Sequence, residues 1–231
     1  MNKKTQVKRI FDSISKRYDL LNHVLSAGID FYWRKKSLKL TKINSDAYLL
    51  DVACGTGDFA IAAKKFGVEN IIGADLSINM LKEFNRKRNW SIGSTVQTVA
   101  ENMPFIDNTF TNITVAFGVR NFYDIPEGFN SFMRILKNNG RVTILEFRLP
   151  KNFIVKGMYN FYFNKILPLI GKLISKDQEA YTYLPESVNT FDETVNLSEL
   201  LAKAGFKNIQ QHSLTFGIVQ VLIAEKIAAE S

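Results

Sequence analysis

A short apolar run that ends in a glycine turn and continues at once as a helix is the feature that most constrains this fold. The run occupies residues 48–53, the turn is Gly55-Thr56-Gly57, and helical character continues to about Lys65. A buried strand that enters a helix through a tight turn is half of a βαβ unit. Two glycines let the backbone bend sharply and approach a ligand with no Cβ in the way. The sequence thus predicts a parallel α/β sheet with a ligand site at this turn.

The same alternation of short apolar runs and helical stretches continues along the chain. A helical region over residues 4–40 comes first, the later apolar runs lie at 71–75, 96–100, 112–117 and 141–147, and the chain then gives a close pair of runs at 207–213 and 218–225. Alternation of this kind gives right-handed crossovers and a mostly parallel sheet. The last two runs are close enough to form a hairpin, which adds an antiparallel strand. We therefore expect a Rossmann-like, doubly wound α/β sheet, mostly parallel with a C-terminal antiparallel hairpin, similar in fold to class I methyltransferases.

Two aspartates flank the glycine turn. Asp75 lies 20 residues beyond Gly55, at the end of the second run, where a carboxylate can accept two hydrogen bonds from ribose hydroxyls. Asp51, just before the turn, would repel a diphosphate but suits a cofactor that carries an ammonium and a sulfonium group. The segment from Gly55 to Ala60 also fits the G-x-G-x-x-G/A pattern of dinucleotide-binding proteins. A nicotinamide-dependent oxidoreductase is therefore the alternative that the glycines alone leave open.

Composition and charge bear on the compartment and on the kind of partner. The 231 residues suffice for a single domain, residues 1–231, and we find neither a secretory signal nor an apolar run long enough to span a bilayer. The lone cysteine, Cys54, excludes an intramolecular disulfide and a cysteine metal cluster, so we expect a cytoplasmic protein with no metal. Cys54 has no His or Lys nearby in sequence to activate it, which indicates a packing role. The net charge of +8 favours an anionic partner, either nucleic acid or a membrane surface.

The segment from about 150 to 180 combines basic and apolar residues. Five lysines and no acid lie between Lys151 and Lys176, interleaved with aromatic and aliphatic side chains. Lysine heads can reach water while the apolar residues lie in a lipid interface. We predict an apolar and basic helical insertion that rests peripherally on the inner face of the cell membrane. The alternative is an insertion that packs on the domain or forms the face of a homodimer.

Several segments outside the glycine turn resemble one family closely. They are residues 18–22 (YDLLN), 25–33 (LSAGIDFYW), 100–105 (AENMPF), 116–121 (AFGVRN), 140–147 (GRVTILEF) and 181–187 (YTYLPES). They are similar to segments of the ubiquinone/menaquinone biosynthesis C-methyltransferases, and the similarity runs from about Val7 to Glu225. The N-terminal signature and the Phe-Gly-Val-Arg-Asn block are the most selective of them.

The resemblance implies a chemistry. Members of this family are similar in using S-adenosyl-L-methionine to methylate a ring carbon of a reduced polyprenyl quinone. The variant at positions 20–22 and 30 resembles the menaquinone branch, so demethylmenaquinol is the expected substrate and menaquinol the product. A ubiquinone-precursor benzoquinol is the alternative, and another small molecule is the next. The charge also suggests a nucleic-acid methyltransferase, but the chain has no Asn-Pro-Pro-Tyr motif and no RNA-binding module, so no nucleic-acid partner is expected.

The resemblance also implies which residues hold the cofactor. They are Asp51, Gly55, Thr56, Gly57, Asp75, Leu76, Val99, Ala100 and Ala116. Three positions depart from the family pattern, because Asp30 stands for the usual His, Val99 for Asp or Asn, and Ala116 for Ser. With Val99 and Ala116 apolar, backbone groups of Ala100 would serve the adenine.

The expected catalytic residues are Arg120, Asn121 and Tyr18. Arg120 follows the fourth strand, at the carboxyl edge where doubly wound sheets bind ligands. A hydroquinone hydroxyl has a pKa of about 10, like tyrosine, and a nearby guanidinium stabilises its anion. The alternative for Arg120 is a salt bridge at the strand end, and Glu146 either lines the pocket or forms a salt bridge. Tyr18 lies in a predicted N-terminal helical lid, residues 1–45, where helix capping and packing are its alternative roles.

Overall fold

A seven-stranded sheet organises the part of the chain that the computed structural model describes, residues 3–166 and 179–228. Its strands are β1 (Tyr48–Val52), β2 (Asn70–Asp75), β3 (Thr95–Gln97), β4 (Phe110–Ala116), β5 (Leu136–Phe147), β6 (Lys207–Leu214) and β7 (Val219–Glu225). The strand order is β3-β2-β1-β4-β5-β7-β6, with β1 to β5 parallel and β7 antiparallel to both β5 and β6. The predicted Rossmann-like sheet with a C-terminal antiparallel hairpin is confirmed.

Helices cover both faces of this sheet. They are α1 (Lys3–Ile14), α2 (Tyr18–Leu25), α3 (Ile29–Thr41), α4 (Asp58–Lys64), α5 (Ile78–Lys87), α6 (Ile125–Ile135), α7 (Phe153–Phe161), α8 (Glu179–Thr194) and α9 (Leu197–Lys203). Four of them begin with a side chain that accepts a hydrogen bond from a backbone N–H of the first turn. These caps are Ser77, Asp124, Asn152 and Asn196. Such caps fix where α5, α6, α7 and α9 begin.

Two apolar cores lie on opposite faces of the sheet. One packs α6 and α9 on the strands, and the other packs α3, α4 and α5. Leu49 and Leu50 of β1 are both fully buried and belong to different cores. Successive side chains of a strand point to opposite faces. Burial of both leucines therefore marks β1 as a central strand covered by helices on each side.

The strand order reverses beside β1. β2 pairs with one edge of β1 and β4 pairs with the other, so the connections after β1 and β3 run in opposite directions. In doubly wound sheets a crevice opens at the carboxyl ends of the strands at such a reversal, and ligands bind there. The carboxyl ends in question are Val52 and Ala116. The glycine turn after β1 and the Arg120 loop after β4 therefore border the same crevice.

The third strand is shorter than the sequence predicts. We expected it at 96–100, whereas β3 is Thr95–Gln97. The N–H of Thr98 donates a hydrogen bond to the Asp75 carbonyl at 3.0 Å, and the chain then turns out of the sheet. This turn carries Ala100 to the edge of the crevice, where a strand residue would have remained in the sheet.

The structure describes the whole of the predicted N-terminal helical region but only part of the predicted helical insertion. The region over 4–40 contains three α-helices, and Gly28, with a φ of 76°, separates α2 from α3. The insertion over 150–180 contains α7 and a π-type turn, Tyr162–Ile166, while residues 167–178 lie outside the described residues. Within the described chain, no helix is both long and apolar enough to cross a bilayer.

Candidate active site

A cavity opens at the carboxyl ends of β1, β2 and β4, beside the glycine turn. We refer to it as the turn cavity. The predicted site residues that line it are Gly55, Asp75, Leu76, Val99, Ala100, Ala116, Tyr18 and Asn121. Helix α1 contributes Lys4, Val7, Lys8 and Phe11 to the same lining. The sequence analysis missed these α1 residues, because no spacing in the sequence connects them with the strand ends.

Asp75 ends β2 and anchors the turn cavity. Its Oδ2 accepts a hydrogen bond from the Gly55 N–H at 2.8 Å, and its Oδ1 accepts one from the Ser77 N–H at 2.8 Å. Burial raises the pKa of Asp75 to about 6, and these two backbone N–H groups oppose the rise. Each carboxylate oxygen can accept more than one hydrogen bond. Asp75 therefore keeps acceptor capacity for the hydroxyl groups of a ligand.

Asp51 lies behind the glycine turn and does not line the turn cavity. Its carboxylate accepts hydrogen bonds from Thr114 Oγ1 at 2.9 Å and from the Ala60 N–H at 3.1 Å, which ties β1 to β4 and to α4. Burial raises the pKa of Asp51 to about 7. Asp51 and Thr56 line a small adjoining cleft together with Arg34. The structure therefore places Asp51 and Thr56 where they support the turn.

Gly57 packs against the ring of Phe84 and lines neither the turn cavity nor the adjoining cleft. Its φ is 87°, and a Cβ there would lie 2.2 Å from two ring carbons of Phe84. A Cβ on Gly73 of β2 would lie 3.0 Å from the same ring and 3.0 Å from Cys54 Sγ. Cys54 thus fills space between β1 and β2, and burial raises the pKa of its thiol. The predicted cofactor residue Gly57 has a packing role that lets α5 approach the turn closely.

Gly57→Ala is expected to lower the free energy of unfolding by about 2–4 kcal/mol, because it adds left-handed backbone strain to an overlap with Phe84. Urea denaturation followed by circular dichroism measures this loss. The matched control is Gly93→Ala, since φ there is 81° but no described atom lies within 4 Å of its Cβ position. The control reports backbone strain alone and should cost about 1 kcal/mol. Equal losses in the two variants would contradict the packing role of Gly57.

Side chains of the N-terminal helices are tied to both strand ends beside the turn cavity. Asp19 of α2 accepts hydrogen bonds from Thr56 Oγ1 and from Lys87 Nζ, the latter at 2.6 Å. Asp12 of α1 accepts one from Ser77 Oγ. Since Thr56 follows β1 and Ser77 follows β2, these bonds hold α1 and α2 against the turn. The arrangement is compatible with the predicted lid, which stays a prediction.

A second cavity of about 600 Å³ adjoins the turn cavity, and we refer to it as the apolar cavity. Phe11, Tyr18 and Phe117 line both spaces, so the two share a boundary. The apolar side chains of the second lining include Ile10, Ile14, Leu25, Trp33, Phe147, Met158, Phe163 and Ile218. A cavity of this size with a predominantly apolar lining and few polar groups suits a hydrophobic ligand.

Arg120 lines the apolar cavity from the end of β4. Its Nη1 donates hydrogen bonds to Glu146 Oε1 at 2.7 Å and to the Phe117 carbonyl at 2.5 Å. Glu146 is fully buried, and its salt bridge with Arg120 joins the end of β5 to the loop that follows β4. The Nε of Arg120 is buried and has no hydrogen-bond partner among the described residues. Arg120 therefore binds Glu146 through one nitrogen and keeps another donor for a ligand.

The other two predicted catalytic residues take different places. Asn121 lines the turn cavity, and its Oδ1 accepts a hydrogen bond from Tyr183 Oη of α8 at 2.8 Å. Tyr18 borders both cavities, and burial raises the pKa of its phenol while a hydrogen bond with Asn22 opposes the rise. Arg120 and Asn121 are adjacent in sequence, yet the structure places them in the linings of different cavities.

Arg34 is a buried cation that the sequence analysis did not single out. It lies on α3, lines the apolar cavity and pairs with Asp30 at 2.5 Å and with Asp58 at 3.7 Å. Asp30 also lies 3.0 Å from His23 Nδ1. An acid four residues before an arginine on a helix is a known pairing signal. That spacing could have identified Asp30 and Arg34 as partners.

Solved structures establish the fold. A SAM-dependent methyltransferase of Thermotoga maritima has a TM-score of 0.66 at 17% identity, covering 95% of this chain and 99% of that one. A methyltransferase of Methanococcus maripaludis has a TM-score of 0.65 at 18% identity, covering 95% and 94%. The fold is that of the class I S-adenosyl-L-methionine-dependent methyltransferases.

Sequence comparison gives the family. The model of the ubiE/COQ5 methyltransferase family matches residues 1–226. The demethylmenaquinone methyltransferase of Bacteroides fragilis is 39% identical over 229 residues, 97% of this chain and 94% of that protein. The ubiquinone/menaquinone biosynthesis C-methyltransferase UbiE of Geotalea daltonii is 44% identical over 227 residues, 96% of each. The chain belongs to the ubiE/COQ5 methyltransferase family, and its cofactor is S-adenosyl-L-methionine. The resemblance is confirmed, and the nicotinamide-dependent alternative is set aside.

Proposed function

We propose that the chain transfers a methyl group from S-adenosyl-L-methionine to a ring carbon of demethylmenaquinol, giving menaquinol. The observation that carries the proposal is the boundary of Phe11, Tyr18 and Phe117 between the turn cavity and the apolar cavity. Methyl transfer needs a donor and an acceptor carbon held in line at close range, and adjoining cavities provide that geometry. The names of the relatives in Bacteroides fragilis and Chlorobaculum tepidum, both demethylmenaquinone methyltransferases, support this acceptor.

The groups that line the turn cavity are chemically suited to the cofactor. Asp75 offers the ribose hydroxyls an ionised, half-buried acceptor, and Gly55 lets the backbone pass close to the ligand. Leu76, Val99 and Ala100 provide an apolar lining for the adenine. When bound, the cofactor supplies an electrophilic methyl group on a sulfonium. Phe11, Tyr18 and Phe117 would hold this group at the boundary with the apolar cavity.

Arg120 prepares the acceptor. A hydroquinone hydroxyl ionises with a pKa of about 10, and a guanidinium beside it favours the anion. The anion raises the electron density of the neighbouring ring carbon, which becomes the nucleophile. Because Glu146 and the Phe117 carbonyl already fix the guanidinium, Arg120 needs little reorganisation during the reaction. The aromatic residues at the boundary, Tyr18 and Phe117, exclude water from the path of the methyl group.

The test is methyl transfer from radiolabelled S-adenosyl-L-methionine to short-chain demethylmenaquinol, in detergent and under reducing conditions. A ubiquinone-type benzoquinol is assayed in parallel, because the relative from Geotalea daltonii is named for both pathways. Label on the naphthoquinol alone supports the proposal. Label on the benzoquinol alone supports the alternative substrate. Label on neither, with cofactor bound, contradicts both.

We further propose that the protein, with residues 1–231 as one domain, sits peripherally on the inner face of the cell membrane. α7 exposes Phe153, Ile154, Met158 and Phe161, and Phe216 after β6 is 84% exposed. Met158 and Phe216 also line the apolar cavity, so its lining continues into this exposed apolar surface. A contiguous exposed apolar surface of this kind is typical of lipid contact. A polyprenyl tail bound in the cavity would leave it on this side and remain in the bilayer.

Replacing Lys156, Lys165 and Lys172 together by Gln is expected to weaken binding to anionic liposomes by about tenfold or more, because each lysine near an anionic surface contributes about 1 kcal/mol. Lys156 and Lys165 are exposed, and Lys172 lies outside the described residues. Cosedimentation with vesicles that contain phosphatidylglycerol, at low and high salt, measures the binding.

The control for this experiment removes three exposed lysines from other elements. They are Lys82, Lys137 and Lys207. This variant has the same net charge as the test variant. A larger loss of vesicle binding in the test variant would therefore assign the effect to the 150–180 segment and not to net charge. Equal binding of both variants, or binding that salt does not change, would contradict the membrane proposal. Light scattering on the protein without vesicles tests for the homodimer. A dimer through α7 would cover the same surface and would lower vesicle binding as the protein concentration rises.

A further inference from the structure

One tyrosine that lines the apolar cavity has a buried hydroxyl group without a hydrogen-bond partner among the described residues. Tyr159 of α7 lines this cavity, is 5% exposed, and stacks its ring on Phe163 with the ring centroids 4.1 Å apart. Its Oη is buried and has no hydrogen-bond partner in the part of the chain that the structure describes. Most buried hydroxyl groups are hydrogen-bonded, because an unpaired one costs stability. This group therefore points to a ligand that completes it.

Two other tyrosines of the same lining show the contrast. Tyr162 Oη donates a hydrogen bond to the Leu25 carbonyl at 2.6 Å, and Tyr183 Oη donates one to Asn121 Oδ1 at 2.8 Å. Both hydroxyls serve the fold, since each joins two separate segments of the chain. The hydroxyl of Tyr159, in contrast, makes no hydrogen bond to any described residue, so it does not serve the fold in this way.

Arg120 supplies a second unpaired donor on the same lining, its Nε–H. The phenol of Tyr159 lies within electrostatic reach of Arg120, Asp192 and Glu146. Burial raises the pKa of Tyr159 above its ordinary value, Arg120 opposes that rise, and the two acids add to it. The phenol therefore stays protonated at neutral pH. It acts as a hydrogen-bond donor and not as a base.

We propose that Tyr159 is a substrate-binding residue whose hydroxyl donates a hydrogen bond to a ring oxygen of the quinol, beside the Nε–H of Arg120. The inference rests on the proposed function and adds a residue to it. A phenolate oxygen accepts more than one hydrogen bond, and charge-assisted bonds are the stronger ones. Two donors on one oxygen fix the ring in place and favour its ionisation. Since α7 also carries the exposed apolar residues, the helix proposed to meet the membrane also binds the substrate ring.

Tyr159→Phe tests this assignment, because it keeps the ring on Phe163 and removes only the hydroxyl. With short-chain demethylmenaquinol we expect kcat/KM to fall by about 10- to 100-fold, the range for a hydrogen bond to a charged group. The Kd for S-adenosyl-L-methionine, measured by calorimetry, should not change. Tm should not fall, because the lost hydroxyl leaves no partner unsatisfied. Tyr48→Phe, on β1 and outside both linings, is the matched control for loss of a phenol.

Two further readouts separate substrate contact from packing. Loss of a donor to the quinol oxygen moves its ionisation to higher pH, so the acid limb of kcat against pH should shift upward in Tyr159→Phe. Quenching of Trp33, which lies in the same lining, measures quinol binding without turnover. If kcat/KM and quinol Kd both stay within about twofold of wild type, well under the effect of one such bond, the inference is overturned. If the wild type methylates no quinol, the proposed function fails, and the Trp33 titration still decides whether Tyr159 contacts the quinol.

Discussion

Arg120→Lys is expected to lower kcat by about 100-fold, the usual effect of losing one preorganised donor to a developing charge. Lysine keeps the positive charge but has a single nitrogen. Glu146 and the Phe117 carbonyl already engage Nη1 of Arg120, so the Nζ of a lysine would be taken up by these acceptors. No donor then remains at the position of Nε. The buried pair with Glu146 is retained, and the fold should therefore survive the change.

Steady-state methyl transfer with saturating cofactor measures this effect, and calorimetry should show unchanged affinity for S-adenosyl-L-methionine. Arg86→Lys is the matched control, since Arg86 pairs with Glu83 on the exposed side of α5. The control variant should have wild-type kcat. A kcat of Arg120→Lys close to that of Arg86→Lys would leave Arg120 with its salt bridge alone and would remove it from the chemistry.

Asp75→Asn is expected to weaken the binding of S-adenosyl-L-methionine by about 100-fold or more, because two hydrogen bonds to a charged acceptor are lost or weakened. The carboxylate accepts N–H groups from Gly55 and Ser77 with its two oxygens. An amide keeps one oxygen, and its NH₂ would face one of these N–H donors. The variant therefore loses charge toward the ribose and also disturbs the turn. Isothermal calorimetry gives the Kd, and Asp107→Asn, an exposed aspartate outside both cavities, is the control.

The pH dependence gives this prediction a second, independent check. Because burial raises the pKa of Asp75 to about 6, the carboxylate of the free protein loses its charge as pH falls below that value. Only the ionised form offers two acceptor oxygens without a competing proton. The affinity of the wild type for S-adenosyl-L-methionine therefore decreases as the pH is lowered. The ratio of wild-type to Asp75→Asn affinity should shrink by about fourfold between pH 7.5 and pH 5.5. The charge of Asp75 is one of the causes that raise the pKa of Asp51 to about 7, so Asp51 is expected to titrate at a lower pH in the variant. A ratio that does not change with pH would exclude titration of Asp75 from cofactor binding.

The sheet was predictable from the sequence because its signals are local. Most of the strands contain a short apolar run beside a turn residue, and alternation of such runs with helices leaves few topologies. The boundaries that differ have tertiary causes. β3 ends at Gln97 since the chain must turn to bring Ala100 to the crevice, and the three N-terminal helices are separated by turns such as the one at Gly28. Neither event is visible in the apolar pattern.

The site was predictable where it lies at strand ends and not where it depends on distant segments. Asp75 and Arg120 follow β2 and β4, so the topology alone brings them to one edge. Phe11 of α1 and Tyr159 of α7 reach the same place through packing, which leaves no spacing in the sequence. Asp51 shows that a place next to the turn in sequence does not decide which way a carboxylate faces. It lies next to the turn in sequence, yet its carboxylate faces the backbone and Thr114.

The contact of one aromatic ring with two glycines restricts how this sequence can drift. Gly57, Gly73 and Phe84 are not independent positions, because the room for a methyl group at either glycine depends on the ring. A smaller residue at 84 would remove the ring contact at Gly73, whose φ is not positive, and would leave the contact with Cys54 Sγ at 3.0 Å. It would not free Gly57, where a φ of 87° still penalises every L side chain. A change at 84 can therefore relieve part of the crowding at position 73 but not the backbone strain at position 57. Packing and backbone conformation alone would hold glycine at 57 even in a descendant that no longer bound a ligand.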